Sequence, residues 1–159
     1  MKKFALLAIV ALLVSAPVFA VGSSSTTQLV AVVGNTVTIT GALPTSKTID
    51  VTATSSEIGS LTITSNTAGN WRISVASTNS GNMKGDNTAA LYPYKITLAP
   101  SAGTAIFENQ SIGAGLTTTL TTGVGAVTYN LTALYATADS LGLAADTYRD
   151  SITVTVVAL

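Results

Sequence analysis

A chain of 159 residues with seven basic and seven acidic side chains, 47% hydrophobic residues, no histidine and no cysteine excludes several classes at once. Low charge with high apolar content rules out intrinsic disorder as the main state. The missing imidazole and thiol remove the commonest general base, the thiolate nucleophile and most transition-metal sites, and without a basic patch or a series of base-stacking aromatics nucleic acid is not an expected partner.

The chain opens with Met1-Lys2-Lys3 and an apolar run at 4–14 (FALLAIVALLV), followed by SAPVFA at 15–20. A short positive region, an apolar stretch and small residues at positions 18 and 20 form a tripartite secretory leader, with cleavage expected after Ala20. Eleven apolar residues are too few for a permanent membrane anchor, so no integral membrane segment is expected after cleavage. Residues 21–159 then form one β-sandwich domain with five basic and seven acidic groups, a net charge of −2. The aromatics are too few and scattered for the girdles of an outer-membrane barrel.

Residues 22–27 are a flexible Gly/Ser/Thr leader. Leu29, Val30, Ala31, Val32 and Val33 make a continuous apolar pentad, the pattern of a strand apolar on both faces. The stretch 21–34 therefore reads in two ways: as the first strand of its own sandwich, or as an N-terminal extension that donates a strand to a neighbour. Gly34-Asn35 breaks the run, and TVTIT at 36–40 alternates cleanly. Further alternating segments are predicted at 48–54, 60–64, 71–75, 94–98, 127–135 and 152–156, with a short strand at 116–120 inside the Gly/Thr-rich stretch 110–126. Trp71 anchors its strand in the core. Residues 136–145 suit a turn or two of helix at most. The sum is eight or nine short strands separated by Gly, Asn and Pro breaks. That pattern gives an all-β fold, an immunoglobulin-like antiparallel β-sandwich.

Chemistry-bearing residues are sparse. The serines have no imidazole partner, and Lys47, Lys84 and Lys95 lie in turns, loops or on a solvated strand face. The carboxylates Asp50, Glu57, Asp86, Glu108, Asp139, Asp146 and Asp150 sit at strand ends or in loops, without EF-hand spacing. No catalytic residue, metal ligand or cofactor is expected. The polar stretch 77–90 carries Asn79, Asn82, Lys84, Asp86 and Asn87, which read either as a hairpin loop or as a loop displayed to a ligand. Tyr148 shares parity with Ile152 and is expected to be largely buried at the core edge with its hydroxyl capped by backbone. Asp150 is expected to bond local amides at the start of the last strand.

The run Asp146-Thr147, Tyr148-Arg149-Asp150, then SITVTVV at 151–157 resembles the C-terminal end of bacterial chaperone–usher pilus subunits and spore coat protein U-like domains. The section 66–77, an Asn turn followed by a core strand, looks similar too. The resemblance implies an exported, self-associating fimbrial-type subunit in the periplasm, at the cell surface or outside the cell. Its expected partners are further copies or other fimbrial subunits and a periplasmic chaperone. In such assemblies the N-terminal strand of one subunit completes the sandwich of the next. The alternative is a secreted or periplasmic binding module that recognises glycan or protein through loops 77–90 and 110–126.

Secreted material is expected to begin at Val21, and intact-mass measurement checks this directly. A mass that still includes residues 1–20 rules out the assigned leader.

Overall fold

Thr, Val and Ile are branched at Cβ, which favours extended backbone, and their strict alternation gives each segment one apolar and one hydroxyl face. The computed structural model describes residues 28, 30–66, 69–121 and 124–159. The expected leader (1–20), the linker 22–27 and Leu29 lie outside the described residues, as do Thr67 and Ala68 of the Asn turn. The chain divides after Val32. Of the preceding part, Gln28, Val30, Ala31 and Val32 are exposed and outside regular structure.

Within residues 33–159 the strands are β1 (Val37–Thr40), β2 (Ser55–Ser65), β3 (Trp71–Ser77), β4 (Asn82–Gly85), β5 (Leu91–Pro100), β6 (Phe107–Ser111), β7 (Leu116–Leu120), β8 (Gly125–Tyr135), β9 (Tyr148–Arg149) and β10 (Ile152–Ala158). No α-helix occurs among the described residues; a single 3-10 turn, Asp139–Leu141, follows β8. All pairings are antiparallel. The large sheet runs β1-β2-β8-β5-β4-β9, with β6 also on β5, and the small sheet runs β10-β3-β7. The series β1-β2-β8-β5 corresponds to strands A-B-E-D of an immunoglobulin sandwich, and β3 and β10 to C and F. In that architecture a strand G lies beyond F; here no described strand lies beyond β10.

The inward faces make the core. Leu61 and Ile63 of β2, Trp71, Ile73 and Val75 of β3, Tyr92, Tyr94, Ile96 and Leu98 of β5, and Tyr129, Leu131, Ala133 and Tyr135 of β8 are all buried. Each fully buried aliphatic or aromatic side chain contributes about 1.5–3 kcal/mol from removal of apolar surface from water. Trp71 is 1% exposed and sits opposite both Ala158 and Leu120, so it packs across all three strands of the small sheet. Tyr92 stands edge-on to Tyr135 at 5.7 Å and to Tyr148 at 6.1 Å, closing one end of the core. The hydroxyls of Tyr92 and Tyr135 donate to the carbonyls of Ala136 (2.7 Å) and Asp50 (3.1 Å).

The all-β antiparallel sandwich is as expected, with three local differences. First, residues 48–54 form a turn rather than a strand. The Asp50 carboxylate accepts from the Thr52 amide (2.9 Å) and hydroxyl (2.6 Å), and the Asp50 carbonyl accepts from the Ala53 amide (3.1 Å). That side-chain turn outcompetes strand pairing. Second, β4, β6 and β9 join the seven expected strands that do form, giving ten rather than eight or nine. Third, Tyr148 and Ile152 do not share a strand: β9 pairs with β4 in the large sheet and β10 with β3 in the small one.

Two glycines give a contrast. A Cβ on Gly85, at the end of β4, meets the Thr88 hydroxyl inside contact distance and Asp146 Oδ2 at 2.6 Å, whereas one on Gly34 meets nothing within 4 Å. Gly85→Ala is expected to destabilise by about 1–3 kcal/mol through overpacking. Gly34→Ala should leave stability unchanged or raise it by up to about 1 kcal/mol through the unfolded state. Urea titration of both variants measures the difference.

Candidate functional site

The 24 residues after β8 decide how the sandwich is closed. After β8 the 3-10 turn ends at Gly142, whose φ of 63° reverses the chain. Residues 143–147 then lead to β9. Here Asp146 clamps the segment to the loop after β4. Its carboxylate accepts from the Asn87 amide (2.9 Å), the Asn87 side chain (2.9 Å) and the Thr147 amide (2.7 Å). Desolvation opposes ionisation of Asp146. The hydrogen bonds from Asn87, Thr147 and Thr88 outweigh it and hold the carboxyl at about 2. Next to it Arg149 pairs with Asp86 at 2.9 Å on the surface.

Asp150 marks the crossing between sheets. Its Oδ2 accepts from the Ser77 hydroxyl (2.5 Å) and the Tyr94 hydroxyl (2.6 Å), and its Oδ1 accepts from the amides of Asn79 (2.9 Å) and Ser151 (2.7 Å). Ser77 Oγ in turn accepts from the Gly81 amide at 2.7 Å. Burial and then the bond to Asp150 push the Tyr94 phenol well above its usual range. The expected local amide bond to Ser151 is therefore one of four bonds, and the partners Ser77, Asn79 and Tyr94 come from β3, the turn after it, and β5.

This crossing sets β10 beside β3 and leaves its other edge without a strand among the described residues. The inward side chains Ile152, Val154 and Val156 remain only half-buried. Across from β10 runs β1, the edge strand of the large sheet. Between them lies a groove of about 300 Å³, lined by Ile39, Leu43, Leu61, Ile152 and Val154 together with Gly41, Ala42 and Thr153. Its lining carries no charge. The alternation in 36–40, 60–64 and 152–156 puts Ile39, Leu61, Ile152 and Val154 on the apolar faces of their segments. Only the pairing of β1 with β2 and of β10 with β3 brings these residues to facing edges.

The other sequence candidates fall as follows. Val30, Val32 and Val33 are 73%, 90% and 78% exposed, and Ala31 is exposed as well. The expected strand over 29–33 is therefore irregular chain in its described part; Leu29 lies outside the described residues. Trp71 is at the core centre. Tyr148 is half-buried rather than largely buried, because β9 lies at the end of the large sheet, and its hydroxyl donates to the Ala144 carbonyl at 2.9 Å. In 77–90 the chain forms β4 rather than one long loop. Asn79 donates its side-chain amide to the Arg149 carbonyl (3.0 Å), and Asn82 donates to the carbonyls of Asn79 (3.2 Å) and Ser80 (3.1 Å). Asn87 is held by Asp146 and Asp86 by Arg149, while Lys84 is exposed on β4. A second concavity of about 550 Å³ lies over β5 with Asn82, Lys95, Asn109 and Ser111 at its rim. Asn109 has a φ of 50°.

No family model matches this chain, and no curated protein matches it significantly.

Two outcomes follow from the carboxylates and tyrosines. Tyr94→Phe is expected to destabilise by about 1–3 kcal/mol, because it removes a donor from a charged acceptor in a buried setting. Tyr148→Phe, whose bond is solvent-exposed, should destabilise by less; equilibrium urea unfolding of the pair gives the order. For Asp146 the folded carboxyl lies below its unfolded value near 3.9. Its stabilisation is therefore complete above about pH 4 and is lost as pH falls toward 2. The difference in urea midpoint between the parent and Asp146→Ala should shrink between pH 6 and pH 2.

Proposed function

We propose that the chain is an exported structural subunit of fimbrial type that polymerises by strand donation, with residues 29–33 of one copy lying along β10 of the next. The unpaired edge of β10 beside an uncharged apolar groove is the observation that carries this reading. A strand added there would bond to the free edge of β10 and set alternate side chains into the groove, the ordinary mode of β-augmentation. Residues 29–33 suit the role because both parities are apolar, so either register presents aliphatic side chains inward. Val30, Val32 and Val33 are exposed, and exposed aliphatic residues gain about 1.5–3 kcal/mol each on full burial. The likeness of 146–157 to chaperone–usher pilus subunits, with the tripartite leader, supports export to the periplasm and cell surface and a chaperone that covers the groove before assembly.

The loop-display alternative, recognition of glycan or protein through 77–90, has less support. Asn79, Asn82, Asp86 and Asn87 are engaged in bonds that hold β3, β4 and β9 together.

Deleting residues 21–33 and adding back a peptide of residues 28–34 (QLVAVVG) tests the proposal. The parent should form concentration-dependent, denaturant-resistant polymers. The deletion variant should stay folded and form no polymers, and the peptide should bind it saturably and raise its Tm. Polymers that persist after the deletion would falsify strand donation. So would a parent that is monomeric at every concentration, together with a deletion variant that unfolds and ignores the peptide.

A further inference from the structure

We infer that β7 is a second self-association edge, which pairs antiparallel with β7 of another copy about a two-fold axis through Thr118. This surface is separate from the β1–β10 groove, lies at the opposite edge of the small sheet and does not require strand donation.

An edge strand presents unpaired backbone donors and acceptors, and folded proteins protect such edges with charge, proline, bulges or irregular backbone. Two other edges of this molecule carry that protection. At one end of the large sheet, β9 bears Arg149 in its ion pair with Asp86. On β6, Glu108 is exposed, Asn109 has a φ of 50°, and the register against β5 shifts between Ile96 and Leu98. β7 has none of these devices. Among the described residues its one strand neighbour is β3, with regular register from Trp71↔Leu120 to Val75↔Leu116. From residue 109 to residue 138 the sequence contains neither a charged residue nor a proline.

The sequence of β7 is Leu-Thr-Thr-Thr-Leu, which reads the same in both directions. Two-fold contacts are self-complementary: residue i of one copy meets j of the other, and j meets i. Centred on Thr118, an antiparallel β7–β7 pair sets Leu116 opposite the partner's Leu120, Thr117 opposite the partner's Thr119, and Thr118 opposite its own equivalent. Both faces then match. Leu116, Thr118 and Leu120 are half-buried on the inward side, and Thr117 and Thr119 are exposed on the outward side. Leucine meets leucine beside the core, hydroxyl meets hydroxyl outside, and no like charges meet. A register one residue off would set threonine against leucine across the pair. The small sheet would grow from three strands to six, β10-β3-β7 continuing into the partner's three. Five residues make a short contact, so the pairing is weak between isolated copies and gains strength where many copies are arrayed.

The absence of cysteine makes the test clean. Thr118→Cys places one thiol per copy on the axis. Directly opposed residues of an antiparallel pair have Cα atoms about 4.5 or 5.5 Å apart, and both separations suit a disulfide. Thr117→Cys/Thr119→Cys reports the outward face in the same way, and Ala89→Cys, in an exposed loop, measures random collision. Each variant is made in the full-length exported protein and again with residues 21–33 deleted, then oxidised under mild conditions. Cross-linked dimers that form several-fold faster than the Ala89→Cys control, and that fall to control level when Thr117→Lys/Thr119→Lys is added to Thr118→Cys, support the pairing. Support holds whether or not the deletion variant polymerises, so failure of strand donation is read separately, from the polymers. Cross-linking at or below the control rate at both β7 positions overturns the inference, as does cross-linking that the added lysines leave unchanged.

Discussion

The crossing at Asp150 is the constraint on which the rest of the sandwich depends. Residues 148–157 have the alternation of one continuous strand, yet Tyr148 and Arg149 belong to the large sheet and Ile152–Ala158 to the small one. A strand can change sheets only if the backbone groups it exposes at the corner find partners. At the corner Asp150 accepts from the Ser151 amide, and it also accepts from the Ser77 hydroxyl at the end of β3, the Asn79 amide in the turn after it and the Tyr94 hydroxyl of β5. Hydrogen bonds to a charged group contribute about 1.5–3 kcal/mol each, so the carboxylate ties three elements to one point. The position of β10 follows from that point. It pairs with β3 from Ile152↔Ser77 to Ala158↔Trp71, turns Ile152, Val154 and Val156 inward, and faces β1 across an open groove.

Where burial alternates along the strand, the sequence pattern was enough to read the structure. TVTIT, LTITS, WRISV, YKITL, VTYNLTALY and ITVTV all form strands, and so does the isolated LTTTL inside a Gly/Thr-rich stretch, with the bounds Leu116–Leu120. The failures have local causes. The segment 48–54 alternates, but Asp50 captures the amide and hydroxyl of Thr52 and bends the chain. Strands β4, β6 and β9 are two to five residues long and lie at or near sheet edges, where pairing partners rather than side-chain pattern decide the conformation. The Asp150 partners Ser77 and Tyr94 lie 73 and 56 residues away in sequence, and no local signal connects them. The groove was half legible: the parity of Ile39, Leu61, Ile152 and Val154 gave its inward-facing residues, while the bare edge between them emerged only with the strand order.

The molecule treats its edges unequally. Charge, irregular backbone and an ion pair mark the β6 and β9 side of the large sheet, whereas both outer edges of the small sheet are uncharged and free of proline within the strand. Soluble domains usually blunt an exposed edge because it templates pairing with other chains. The β1 edge of the large sheet is also uncharged, so the unprotected edges are β1 and the two sides of the small sheet; on the proposed reading, the open edges of the small sheet are the ones used for contact between copies. The hydroxyl-rich outer face suits the same end. Threonine favours extended backbone and keeps a surface polar without charge, so on the proposed reading copies would meet at these edges without like-charge pairs.

Stability and assembly are then coupled by the same groove. A complete immunoglobulin sandwich carries strand G along the outer edge of strand F; here that edge of β10 has no strand among the described residues, and Ile152, Val154 and Val156 are only half-buried. No disulfide offsets the loss, because the chain has no cysteine. A ligand that binds only the folded state adds stability in proportion to the logarithm of its concentration over its dissociation constant. On the proposed reading the donor strand is that ligand, tethered to the next copy and so present at high effective concentration within a polymer. The isolated subunit would be the least stable form and the polymer the most stable. The exposed apolar surface that weakens the first would be the surface that holds the second together.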